Sequence, residues 1–210
     1  MGFSWVAPFV ILALAASPTP LTPKQILARM AQNTAGLQTF EVPVTIHARL
    51  KKGISIPVTM SGERYFKVPD KGALKLRGVP EIAKTFSSLY SSLGTPSTWP
   101  HTYNIRLVSV SIESGRPVYE LSGTYKHPSS VDHVTLDVDG ETFVPLEAHW
   151  FYTNGATIAM SITEGIVGGK YRLPLSESVD VHFPEYSGDA SIEYGAYQLN
   201  VALPNSLFGP

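Results

Sequence analysis

From residue 40 onward the apolar positions of this chain fall on every second residue. Phe40, Val42, Val44, Ile46, Ala48 and Leu50 alternate with Glu41, Pro43, Thr45, His47 and Arg49. A period of two places one set on each side of a pleated strand, which predicts a long strand with one dry and one wet face. Lys51-Lys52-Gly53 turns the chain. Ile54, Ile56, Val58 and Met60 then alternate with Ser55, Pro57, Thr59 and Ser61, so the two runs make a hairpin whose apolar faces lie on the same side. Proline cannot donate to a strand ladder, so Pro43 and Pro57 are expected at an edge or a bulge. Residues 64–68 continue the second strand, and residues 73–76 form a short third one.

Two stretches carry a helical period instead. Thr22-Pro23-Lys24-Gln25 is a helix start: Thr22 caps, Pro23 suits the first helical position and Gln25 completes a capping box. Ile26, Leu27, Met30 and Leu37 form the apolar side, and Gly36 is a natural stop. Over residues 79–93, Val79, Ile82, Ala83, Phe86, Leu89, Tyr90 and Leu93 recur at spacings of three and four, while Lys84, Thr85, Ser87, Ser88 and Ser91 face the other way. This amphipathic helix interrupts a run of strands, so it is predicted to pack across the sheet.

From Asn104 onward the pattern predicts only strands, over 105–113, 117–125, 131–137, 143–152, 156–167, 171–183 and 191–203. Asp139-Gly140, Asn154-Gly155 and Gly168-Gly169 are strong tight-hairpin signals between them. Consecutive hairpins make a meander in which sequence neighbours are spatial neighbours. The predicted fold is mainly β with two or so helices: a curved antiparallel meander forming a half-closed barrel, with helices covering its concave face. No repeat or linker divides residues 17–210, which read as a single domain.

Composition narrows the function classes. Net charge is −1 over 210 residues, which gives no basic surface for nucleic acid. Cysteine is absent, which removes disulfides, thiolate metal sites and a cysteine nucleophile. Residues 6–14 are apolar apart from Pro8, too short to span a bilayer as a helix. Ala13-Leu14-Ala15 fits a small-x-small cleavage pattern, so residues 1–16 are read as a signal peptide cut near Ala15 or Ala16. No Lys or Arg precedes the run, and the alternative is a buried or lightly anchored segment. The mature chain is expected to be periplasmic or otherwise extracytoplasmic, with no stable transmembrane segment.

Candidate chemistry is sparse. Asp132-His133 with Asp137 and Asp139 is the densest acidic-histidine cluster, and His133, Thr135 and Asp137 share one side of a strand. A metal site needs three or four convergent ligands, so a solvated strand face ending in a turn is the simpler reading. No Gly-x-Ser-x-Gly elbow, His-Glu-x-x-His motif or phosphate-cradling glycine loop occurs. The chain is therefore read as a non-enzyme with no cofactor. Trp150, Phe151 and Tyr152 cannot all point to one side of a strand, so this run puts an aromatic on each face.

About ten one-sided strands expose more apolar surface than two short helices cover. Either the sheet curls on itself into a packed core or a cavity remains beneath a helical lid. The layout resembles the LolA/LolB-like family of outer-membrane lipoprotein carriers and its relatives, including the periplasmic lipid-sensing RseB type. The likeness rests on the opening helix running into Leu37-Gln38-Thr39-Phe40, on residues 62–69, on Asp137-Val138-Asp139-Gly140 with Phe143-Val144-Pro145-Leu146, and on the ending 192–201. Carriers of this kind usually have Arg-Pro after the second strand; here the equivalent is Lys67-Val68-Pro69, with Arg64 one inward step earlier. The resemblance implies a half-barrel that binds acyl chains in an apolar cavity. The expected function is a carrier or binder of a lipid or of lipoprotein acyl chains, lined by Val44, Ile46, Val58, Met60, Phe66, Trp150 and Met160 from the sheet and by Phe86, Leu89 and Leu93 from the lid helix. The alternative is a sensor or scaffold that binds an envelope protein through the sheet, with no lipid role.

Overall fold

The computed structural model describes residues 21–78 and 98–208. The helix expected over 79–93, with Phe86, Leu89 and Leu93, and the signal segment both lie outside the described residues.

The first helix, α1 (Pro23–Gln32), begins as its sequence dictates. The Thr22 side chain accepts from the Gln25 amide and the Gln25 side chain accepts from the Thr22 amide. A turn beyond Gln32 ends at Gly36, whose φ of +84° costs a glycine little. Then follow β1 (Thr39–Lys52), β2 (Ile54–Lys67), β3 (Lys71–Arg77), one helical turn α2 (Trp99–Thr102), β4 (Tyr103–Glu113), β5 (Arg116–Tyr125), β6 (Val131–Asp139), β7 (Pro145–Tyr152), β8 (Thr157–Val167), β9 (Tyr171–Phe183), β10 (Tyr186–Tyr194) and β11 (Gln198–Leu199).

These strands form one antiparallel sheet in the order β3-β2-β1-β10-β9-β8-β7-β6-β5-β4, with β11 also pairing with β1. The sheet stays open, ending at β3 and β4. The meander expectation holds for β1 to β3 and for β4 to β10. The first strand, however, pairs along its other side with β10, joining residues 44–51 to 187–194. The last strand is corrected: the pattern put it at 191–203, whereas β10 starts at Tyr186 after Pro184-Glu185 and ends at Tyr194, leaving only β11 beyond. Gly188 breaks the alternation, and Tyr186-Ser187-Gly188 reads locally as a turn. The described residues end in a 3-10 turn at Asn205–Phe208 rather than a strand.

Pro43 lies in a central strand at a bulge, as expected: between the Val44–Tyr194 and Glu41–Gln198 pairs the facing chain carries one residue more than β1, so no ladder donor is required of its nitrogen. Its carbonyl accepts from Gly195 there at 2.8 Å. Among the described residues Pro57 does lie on an edge, because β3 reaches only Ser61 on that side of β2.

The register makes the inner face continuous. Ala48 faces Ala190, Ala190 faces Val179, Val179 faces Met160, Met160 faces Ala148, Ala148 faces Leu136, and Leu136 faces Leu121. One row thus runs from β1 to β5 without a polar side chain. On this face α1 lays Ile26, Leu27 and Met30, all buried, against Leu121, Leu136, Trp150, Ile158 and Met160. Burying each such side chain contributes roughly 1.5–3 kcal/mol. Asn33 fixes the helix end, donating to the carbonyls of Thr142 and Phe143 at 3.0 and 2.9 Å. The core therefore divides. One cluster lies between α1 and β4–β9, and two more lie on β1, β2 and β10 and the near end of β9.

Candidate functional site

The sequence-predicted lining residues fall into these separate clusters. Trp150 and Met160 are buried under α1. Trp150 also lines a small apolar cavity of about 30 Å³ with Trp99, Tyr103, Ile105 and Val134. Ile46 and Met60 are buried with Leu50 and Ile192, and Val58 is half-buried beside them. Val44 and Phe66 pack with Phe40, Val42 and Leu173; the Phe40 and Phe66 rings stack at 5.3 Å. Val179 touches both the α1 cluster and the Ile46 cluster and joins the two halves. Among the described residues, the Ile46 cluster consists of strand side chains alone, with no helix over it.

Within this apolar face sits a polar group that the sequence reading passed over. By register, Arg64 lies opposite Val42, and Glu177 lies between Ile192 and Ile162. Arg64 Nη1 is 3.4 Å from Glu177 Oε1 and donates to the Tyr194 hydroxyl at 2.5 Å, and that hydroxyl donates to Glu177 Oε1 at 2.9 Å. Tyr197 stands beside Tyr194, ring centres 6.2 Å apart, and donates to the Pro174 carbonyl at 2.6 Å. Arg64 belongs to β2 and Glu177 to β9, three strand spacings apart, or about 14 Å in a flat sheet. Their contact measures how far the sheet curls. The signal was present in the sequence: Arg64 interrupts the dry register Met60–Gly62–Phe66, and Glu177 interrupts Leu173–Val179–Val181.

Burial sets the electrostatics. The Glu177 side chain is only 4% exposed and Arg64 is 26% exposed. Burial pushes the Glu177 carboxyl upward, and Arg64 with the Tyr194 hydrogen bond pulls back without reversing it. Burial also raises the hydroxyls of Tyr194 and Tyr197. Nearby Glu164 is pushed by burial up to about 7, against the pull of Arg172. A carboxyl that holds its proton longer in the folded than in the unfolded chain makes stability fall as pH rises between the two values. Stability is thus expected to drop between about pH 4.5 and 7, by on the order of 2–3 kcal/mol for Glu164. Glu164→Gln is expected to flatten that slope in urea titrations at pH 5 and 8; an unchanged slope would place Glu164 in water.

The opposite face carries the acidic-histidine residues. His133 stacks on Phe151 at 4.4 Å and its Nδ1 lies 2.7 Å from Asp132; His149 Nε2 lies 3.3 Å from Glu147. Burial, with Glu120 and Glu147 as cross-strand neighbours, raises the Asp137 carboxyl. Among the described residues no three His, Cys, Asp or Glu side chains converge to hold a metal ion. Asp139 caps its own turn, accepting from the Glu141 and Thr142 amides. Phe151 thus faces outward while Trp150 faces inward, as the run of three aromatics requires.

No protein-family model matches this sequence, and no curated protein matches it. Solved structures do share the fold. A DUF1329 family protein from Desulfovibrio piger aligns with a TM-score of 0.63 and 14% identity over 89% of this chain and 95% of that one. A LolA superfamily protein from Nitrosomonas europaea gives 0.63 and 13% over 91% and 99%. A domain from Vibrio parahaemolyticus, described as an outer membrane lipoprotein-sorting protein, gives 0.60 and 12% over 88% and 95%. The fold of this chain is the LolA-like one. Among the described residues no helix is long and apolar enough to cross a membrane.

Proposed function

We propose that this protein binds the acyl chain of a lipid or of an acylated protein against the inner face of β1, β2, β9 and β10. The observation that carries the reading is the unbroken apolar row on an open, curled sheet, of which, among the described residues, α1 covers only the β4–β9 half. Area removed from water stabilises an acyl chain by roughly 25 cal/mol per Å², so such a face needs no special residue to hold one. Val44, Ile46, Val58, Met60 and Phe66 are the proposed lining. Residues 79–93 are the proposed lid, with Phe86, Leu89 and Leu93 facing the sheet. Trp150 and Met160 contribute from under α1. The Vibrio neighbour's description as a lipoprotein-sorting protein is consistent with this reading. The apolar run and small-residue site at 1–16 support an extracytoplasmic location, where acylated proteins travel.

The test is native mass spectrometry of protein purified from its own envelope, together with titration of a fluorescent fatty acid. Co-purifying lipid and saturable binding are expected, with Ala48→Trp weakening the binding at least tenfold. Absence of both lipid and probe binding would overturn the reading. A protein partner is favoured by one different observation: the edge strand β4 leaves Val108, Val110 and Ile112 at 48, 45 and 70% exposure. An exposed apolar edge can add a strand from another chain.

A further inference from the structure

The inner-face polar group leaves one atom unanswered. Glu177 Oε2 is buried and has no hydrogen-bond partner, while the donors described beside it, Arg64 Nη1 and the Tyr194 hydroxyl, converge on Oε1. A buried carboxylate oxygen without a donor costs on the order of 1–3 kcal/mol or more. The position is not remote from the proposed acyl site. Glu177 faces Ile192, which faces Ile46, which faces Met60, so Glu177 stands in one row with side chains that would lie along an acyl chain.

The charges around it constrain what could answer it. Arg64 already faces Glu177, and Arg172 acts on Glu164. Of these four groups neither cation stands without a carboxylate. A ligand carboxylate or phosphate placed at Oε2 would add a negative charge beside Glu177, with Arg64 already committed to it. A buried unpaired charge is costly. A hydroxyl adds no charge, and it donates to an ionised Oε2 or accepts from a protonated one. It therefore satisfies the site in either state of Glu177, which burial pushes upward.

We infer that the polar end of the bound amphiphile sits at Glu177 and is an uncharged, hydroxyl-bearing headgroup of the acylglycerol kind. Tyr194 and Tyr197 form the wall beside it: their stacked rings shield the group, and Phe40 meets Tyr197 edge-on at 5.3 Å. Arg64 fixes the Glu177 carboxylate from across the curl of the sheet, so that Oε2 is the oxygen left for the ligand. This assignment rests on the acyl-binding reading and adds the chemistry of the head to it.

The test is competition against N-phenyl-1-naphthylamine, a neutral apolar fluorescent probe, at pH 8. The competitors are 1-monooleoylglycerol and oleate, which share one acyl chain and differ at the head. The monoglyceride is expected to displace the probe at least tenfold more effectively than oleate. In Glu177→Gln the carboxylate's repulsion is removed and Arg64 is released, so oleate is expected to gain and the preference to vanish or reverse. The double variant Arg64→Leu/Glu177→Leu removes both charges without orphaning either; it is expected to bind the probe and to prefer neither lipid. Failure of the probe and of both lipids to bind the wild-type chain would sink the acyl-binding reading itself. Binding of the probe with equal displacement by both lipids, or a monoglyceride preference that survives in the double variant, would overturn the headgroup assignment alone.

Discussion

Arg64→Met is expected to lower the unfolding free energy by about 3 kcal/mol, the lower end of what breaking a buried ion pair costs when one partner stays behind. The lower end applies because Arg64 keeps partial access to water while Glu177 has almost none. The loss arises from the carboxylate that remains: deprived of Arg64, Glu177 keeps one hydrogen bond from Tyr194 in an otherwise apolar row. The double variant Arg64→Met/Glu177→Leu is therefore expected to recover to within about 1 kcal/mol of the parent, since apolar replacements of a buried pair are often neutral. Urea denaturation of the two single variants and the double gives the coupling directly. A single-variant loss under about 0.5 kcal/mol would rank the pair with solvent-exposed ones.

The second large effect is steric. Gly62 lies on the inner face between Met60 and Arg64, opposite Val44 in β1 and Leu76 in β3. A Cβ there would stand 2.0 Å from the Lys75 carbonyl oxygen and 2.9 Å from Leu76 Cα. Both are backbone atoms of β3, so no side-chain rotation relieves the clash. Gly62→Ala is expected to cost about 3 kcal/mol and to express that cost locally, by parting β3 from β2. Hydrogen exchange is the check: amides of 71–77 should lose protection while those of β6–β8 keep theirs. Full protection of β3 would mean that the strand pair absorbs the methyl group.

Much of the fold was legible because its signals are local. The capping box at Thr22 and Gln25, the period-2 run from Phe40 to Leu50 and the glycine turns depend only on residues a few positions apart. The observed helix start and most strand bounds follow them. The strand after Phe183 was misplaced for the converse reason. Gly188 and Ser187 look like a turn by themselves, and only pairing with Val181 and Leu50 on either side holds them extended. Ile46 and Met60 could be read as dry-face positions, and they meet. That Trp150 and Met160 would be sealed under α1, in another cluster, could not be read from alternation.

What the sequence determined by itself is the set of one-sided strands, their turns and the side of each that avoids water, because a pleat converts residue parity into a face. What the tertiary structure decided is how those faces are joined. Pairing β1 with β10, about 140 residues distant in the chain, is a long-range event with no local signature. It brings Arg64 and Glu177 together across the curl and determines which half of the apolar face α1 covers. Each charge alone looks like an interruption of its strand's pattern. Their meaning as a pair depends on a curvature that only the assembled sheet possesses.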